Sequence, residues 1–191
     1  MVNLPRDPWQ TVKTYHGLKA DLVISALQKE IRRGNSDNAA LLAYEMALTS
    51  PALEDYLWQR LMIISVEDIG FGAPQAPVLI NALVQMLARF DRGVAERKLF
   101  AVHAVRYLCS CRKDRSSDEM INYFMYATEH EGLRPVIPDY AVDMHTADGQ
   151  AMGRDRAHFW AEGAQINPAW EERDRQYHER LSALLAAGEW D

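Results

Sequence analysis

The sequence predicts an all-α fold, an antiparallel bundle of several helices followed by a shorter helical extension. Three observations carry this. Apolar residues recur at helical spacing in one segment after another. Glycine, proline and short polar capping residues punctuate those segments at intervals suited to helices of three or four turns. No run of β-branched residues alternates with polar ones for long enough to make a strand.

The first helix runs from Leu18 to Arg33, with Ala20, Val23, Ile24, Leu27 and Ile31 as its buried stripe and Gly34-Asn35 as its left-handed stop. Ser36 or Asp37 caps a second helix that continues through Leu48. Ser50-Pro51 supplies a cap with proline at the first helical position for a third, Ala52 to about Val66. Leu53, Tyr56, Leu57, Trp58, Leu61, Met62, Ile63 and Ile64 cover most of that helix, which predicts the centre of the bundle. Gly70, Gly72, Pro74 and Pro77 break the chain before a fourth helix, Val78 to Phe90, and Asp91-Arg92-Gly93 makes the next turn. A fifth helix spans Val94 to about Cys111, and Arg112 to Arg115 forms a charged loop. Ser116 with Glu119 fits a capping box for a sixth, ending near His130.

Gly132 to Pro138 reads as a linker, because each proline pushes its predecessor out of the α region. The organisation therefore divides into a helical domain, 1–131, and a linker with a helical extension packed on it, 132–191. In the extension, short helical pieces around Tyr140 to His145 and Arg156 to Glu162 precede a last helix from about Pro168 to Ala187.

Net charge is −6 over 191 residues, and an acidic balance repels phosphate backbones unless cations gather on one face. Apolar stretches such as Leu61 to Ile64 fall far short of the ~20 residues that span a bilayer. The start, Met-Val-Asn-Leu-Pro-Arg-Asp, has no apolar core behind a basic segment, so a cytoplasmic location is expected. Cys109 and Cys111 point about 200° apart on a helix, which favours two small apolar fillers over a disulfide or metal clip.

Few strings carry chemistry. Nothing matches a phosphate-cradling Gly-Lys-Ser/Thr loop, so no nucleotide site or other cofactor is expected. His103 lies in an apolar helix and reads as a core histidine. Asp139, Asp143 and His145, with Glu129 and His130 upstream, form the best metal-ligand candidate, although Asp139 and Asp143 also suit helix starts. Ser65-Val-Glu67-Asp68-Ile-Gly70 ends the most apolar helix with two adjacent carboxylates, which oppose the helix dipole and need an offsetting partner. Arg60, two turns earlier on the same face, is the expected partner, and a structural ion pair is favoured over acid–base catalysis.

Leu22-Val-Ile-Ser-Ala-Leu-Gln-Lys-Glu-Ile-Arg-Arg-Gly34, then Tyr56-Leu-Trp-Gln-Arg-Leu-Met-Ile-Ile-Ser-Val-Glu-Asp-Ile-Gly70, then Ala104-Val-Arg-Tyr-Leu108 with Lys113 and Tyr123, stand in a distinctive order and spacing. Together they resemble the C-terminal helical region of the RarA/MgsA/Werner-helicase-interacting protein family, AAA+ ATPases related to clamp loaders that act at stalled replication forks. The resemblance covers about residues 18 to 126. Its most specific element is Ser65-x-Glu67-Asp68-Ile-Gly70 followed by Pro74. Two features depart from the family: its ATPase part has no counterpart in these residues, and a family histidine is Gln28 here.

What the resemblance implies is a clamp-loader-like collar that holds subunits together. The chain is accordingly expected to be a non-enzymatic oligomerisation or adaptor module, a dimer or tetramer, in contact with replication or repair proteins or a separate AAA+ ATPase. Met62, Met86, Trp58 and Phe100 are the expected interface anchors. A nucleic-acid-binding module is the second class, with Lys29, Arg32, Arg33, Arg97, Lys98, Arg106, Arg112, Lys113 and Arg115 as its cations if the first and fifth helices share a face. A small metal-dependent hydrolase built on Asp139 to His145 is the third.

Overall fold

The computed structural model describes residues 7–190, so the expectation resting on the first seven residues lies almost wholly outside it. Among the described residues all regular structure is helical apart from one isolated antiparallel bridge between Lys13 and Lys19. The chain divides into two compact units, Met1–Glu131 and Gly132–Asp191. No helix among the described residues is long and apolar enough to cross a membrane.

The first unit holds α1 (Ala20–Arg33), α2 (Ser36–Thr49), α3 (Pro51–Ile64), α4 (Ala76–Leu87), α5 (Ala95–Ser110) and α6 (Ser116–His130). The stripe expected on α1 is its buried face, and Gly34 ends it at φ 76° with its amide turned to the carbonyls of Glu30 and Ile31. Ser50 caps α3 through the Leu53 amide. α2 packs against α1, α3 and α5 and so shares the centre with α3, whose Met62 and Ile63 emerge into solvent. α4 begins at Ala76 rather than Val78, because Pro77 occupies a first-turn position where it needs no amide partner. Leu27, Ile31, Met46, Leu53, Leu57, Leu61, Ile64, Ile69, Ile80, Val105 and Leu108 are the large fully closed apolar side chains of the core.

Two expected caps do not form, and the second is replaced. α2 starts after Asn35 with no side-chain cap, and the Ser116–Glu119 box does not form. Asp114 does that work: its Oδ1 accepts the Ser116 amide at 2.9 Å and its Oδ2 the Phe71 amide at 3.3 Å. At the far end of α5, Lys113 turns back so that Nζ donates to the carbonyls of Leu108 and Cys109, each at 3.0 Å, where a cation also meets the negative end of the dipole.

Glu45 of α2 is closed from solvent, and its carboxylate accepts the His16 amide at 2.7 Å and meets His16 Nδ1 at 2.6 Å. Burial pushes this carboxyl up, but bonds from Thr14 and from the amide and ring of His16 outweigh it and hold the group below its ordinary range. A carboxyl depressed in the folded state contributes stability above its unfolded pKa and loses it as pH falls through the folded value. Thermal melts should therefore fall between pH 5 and pH 3, and Glu45→Gln should flatten that decline. An unchanged slope in the variant would remove the contribution assigned to Glu45.

The second unit is less helical than expected. Residues 132–138 are irregular, and a single 3-10 turn, Asp139–Ala141, stands where a helix to His145 is predicted. It stops there because Asp143 turns back on the His145 amide at 2.9 Å. Helices α7 (Ala147–Ala151) and α8 (Arg156–His158) are each about one turn, α8 running on into a π-helical turn at Phe159–Gly163. The last helix, α9 (Gln176–Ala186), begins eight residues later than predicted, behind a bond from the Gln176 amide to Asp174 Oδ1.

Candidate interaction site

The expected acidic pair is built by a π-helical turn, Ser65–Ile69, that widens the end of α3. Ser65 starts it by donating to the Met62 carbonyl at 2.6 Å, and Gly70 ends it at φ 48° and ψ −133°. Such turns interrupt the regular ladder and are frequent at functional sites. Here the widening carries Asp68 wholly into the protein, 0% exposed, while Glu67 stays at the edge. The 111–115 loop lies directly across the turn, with the Asp114 amide donating to the Asp68 carbonyl at 3.1 Å.

Three guanidiniums meet the two carboxylates. Arg32 Nε reaches Asp68 Oδ1 at 2.5 Å and Arg32 Nη2 reaches Glu67 Oε1 at 3.4 Å. Arg115 approaches Asp68 at 3.5 Å and Glu67 at 3.7 Å, and also holds Asp118 on α6. Gln28 Nε2 donates to Glu67 at 2.8 Å and to Asp68 at 2.9 Å, while its Oε1 accepts from Arg60. Arg60 itself comes no closer to Glu67 than 3.9 Å. The expected Arg60–Glu67 pair is thus at the outer limit of an ion pair, and the stronger partners are Arg32 and Arg115. Helical spacing points to Arg60, whereas α1 and the 111–115 loop arrive through tertiary packing.

One side of Glu67 opens onto a groove of about 480 Å³ lined by Met62, Ile63, Val66, Glu67, Ser117, Asp118 and Ile121. Its far wall is α6, whose only buried residue is Ala127. Met120, Ile121, Tyr123, Phe124, Met125 and Tyr126 are each between 42% and 57% exposed. These six side chains surround nearly the whole helix, and a helix apolar all round is normally covered. The interface anchors expected from the sequence lie on the third, fourth and fifth helices instead. Trp58 and Phe100 are in fact buried and half-buried, while Met62 and Met86 are exposed. The run Met120 to Ala127 was the available signal for α6.

The nine cations are spent in different ways. Arg32 and Arg115 serve the acidic pair and Lys113 caps α5. Arg97 is buried at 6% exposure, paired with Glu54 at 2.7 Å and donating to the Leu87 and Phe90 carbonyls, so it is no surface contact. Lys29 bonds Ser25, Arg33 the Lys29 carbonyl and Lys98 the Gly93 carbonyl. Arg106 and Arg112 are exposed. His103 is exposed rather than a core histidine, and borders a hollow with Arg106, Gly34 and Ser36.

Within the second unit, Asp139 is held by Arg154 at 2.6 Å, whereas Asp143 binds the amide and ring of His145. The two carboxylates therefore turn to different partners. No group of three or more His, Cys, Asp or Glu side chains among the described residues is arranged to hold a metal ion.

An all-helical module, with a signature string spent on an internal ion network beside an apolar groove, is the class that this fold and site define. The chain belongs to the MgsA AAA+ ATPase C-terminal family, whose model matches residues 34–176. It is 35% identical over 133 residues to replication-associated recombination protein A of Bacillus subtilis, covering 69% of this chain and 30% of that protein. A protein of the same name from Haemophilus influenzae is 30% identical over 123 residues, 64% of this chain and 26% of the relative. An uncharacterized AAA domain-containing protein of Mycobacterium tuberculosis is 27% identical over 139 residues, 73% of this chain and 30% of the relative. The matched part is thus less than a third of each relative's length.

Proposed function

We propose that this chain is a non-enzymatic helical module of the cytoplasm that holds copies of itself together, as a dimer or tetramer, within a replication or recombination assembly. The uncovered apolar surface of α6 carries this reading. With Met62, Ile63 and Val66 across the groove, the α6 side chains expose on the order of 900 Å², against the ~800 Å² that each partner contributes to a standard interface. The family's setting, given by relatives named for replication-associated recombination, supplies the context. Against catalysis, every carboxylate of the acidic pair is engaged by a guanidinium or amide, and the groove beside it is apolar. A nucleic-acid face is the weaker reading, because Arg32, Arg97, Lys113 and Arg115 are committed inside the fold.

Light scattering at tens of micromolar should give a mass at least twice that of the 21.8 kDa chain, and salt should change it little because the contact is apolar. Met125→Asp together with Ile121→Asp should return the mass to one chain. A monomeric wild-type protein would overturn the reading.

A further inference from the structure

The charges of α6 restrict what can cover it. The helix is apolar between its ends and carries no lysine or arginine. Asp118 is matched by Arg115, but Glu119 in the first turn and Glu129 near the end have no ion pair among the described residues. Glu131, just beyond the helix, takes the Tyr123 hydroxyl at 3.3 Å. Two copies of α6 related by a two-fold axis would lie antiparallel, Glu119 facing Glu129 and Glu131, or parallel, each carboxylate beside its own copy. Either arrangement that covers the helix along its length sets like charges against each other.

The outward face of α1 has the opposite character. Leu22, Ala26, Lys29 and Arg33 follow at i, i+4, i+7 and i+11, a stripe opposite the buried face, and Leu18 precedes it by one turn. Leu18 and Leu22 are 51% and 61% exposed. Before the helix, a hairpin sets Lys13 across from Lys19, both exposed, and the Tyr15 amide ties it to Thr49 of α2 at 3.0 Å. Cations thus stand at both ends of an apolar middle. Lys29 bonds Ser25 and Arg33 the Lys29 carbonyl, and none of the four cations is in an ion pair among the described residues. Of the carboxylates on α1, Glu30 takes the Asn35 and Asn38 side chains at 3.3 and 3.0 Å, and Asp21 lies in the first turn, where the dipole favours it. The two helices also match in length: 14 residues in α1 and 15 in α6, about 21 and 22 Å.

We propose that α6 of one copy lies along the outward face of α1 of the next, so that copies join head to tail through two different surfaces. This rests on the self-association proposed above and names the surface that receives α6. With the apolar middles together, the acidic ends of α6 meet the basic ends of α1. The rim charges select the partner surface while the apolar middles supply the affinity, so the small salt effect stands. Such a contact closes into a ring or runs on as an open chain, which a two-fold pair does not.

The test is light scattering on full-length variants at tens of micromolar. Leu18→Asp with Leu22→Asp alters only exposed side chains and should run as one chain with a wild-type circular dichroism spectrum. Ile121→Asp with Met125→Asp should also run as one chain. Mixed in equal amounts the two should give the mass of two chains and no more, because each keeps the surface that the other has lost. Charge reversal is an independent arm. Lys19→Glu with Lys29→Glu should weaken association about tenfold, and Glu119→Lys with Glu129→Lys in the same chain should restore it whichever way the helices run. A Leu18 and Leu22 variant that keeps the wild-type mass would overturn this pairing and leave self-association through α6 standing. A mixture that stays at one chain, or a charge reversal without rescue, would also overturn it. A monomeric wild-type protein would instead remove the self-association reading, and this pairing with it.

Discussion

Gly70→Ala should destabilise the protein by ~3 kcal/mol or more, through two effects that act together. Gly70 sits at φ 48° and ψ −133°, a region that a side chain blocks and that glycine alone enters freely. A Cβ built there would also stand 2.5 Å from the Asp114 carbonyl oxygen, a backbone atom that cannot swing aside. The damage should reach beyond the turn. The same loop supplies the Asp114 cap of α6 and the Arg115 that holds both carboxylates. Relieving the clash by moving the loop therefore loosens the ion network and the start of α6 together. Chemical denaturation should show the loss as a lower midpoint, and α6 amides should exchange faster. An alanine variant within 1 kcal/mol of wild type would mean that the turn tolerates a side chain and that this account of the glycine is wrong. Gly72→Ala is the natural companion, since its Cβ would lie 2.5 Å from the Arg112 carbonyl oxygen without the added cost of positive φ.

Asp68→Ala should cost about 3 kcal/mol, because breaking a buried pair strands its partners rather than merely deleting a contact. Arg32 would lose its 2.5 Å bond, Arg115 one of its three carboxylates, and Gln28 one acceptor. The low end of the usual range is chosen because the Arg32 and Arg115 side chains are 27% and 34% exposed, so water partly compensates them. Arg60→Ala should cost only ~1 kcal/mol. Its bond goes to the neutral Gln28 amide, and Glu67 keeps Arg32 and Arg115. The expected order is thus the reverse of what helical spacing implies. Equal losses in the two variants would restore Arg60 as the principal partner and contradict the geometry. High salt should change the Asp68→Ala difference little, since screening reaches a fully buried carboxylate weakly.

Much of this molecule was legible before any coordinates. The helical class, the stripe on α1, the left-handed stop at Gly34 and the Ser50 cap follow from local rules, because a helix end or an amphipathic face depends on residues within a few positions of one another. The family signature Ser65-x-Glu67-Asp68-Ile-Gly70 was legible too, and the family match bears out the resemblance it carries. Its physical meaning was only half legible. Two adjacent carboxylates at a helix end announce that something offsets them, yet the sequence alone pointed to the partner on the same helix.

Tertiary packing decided the rest. It brought Arg32 from α1, Gln28 one turn before it and Arg115 from a loop onto Asp68, across separations of 36 to 47 residues that no periodicity connects. It buried Arg97 and Trp58, which composition alone marks as surface cation and interface anchor, and exposed His103, which stands in an apolar helix. It also left the apolar run of α6 uncovered. An apolar pattern states which side chains avoid water but not what will cover them. A charge pattern states that a partner is needed but not which distant element supplies it, because ion pairs and grooves are set by how helices pack in space rather than by spacing along the chain.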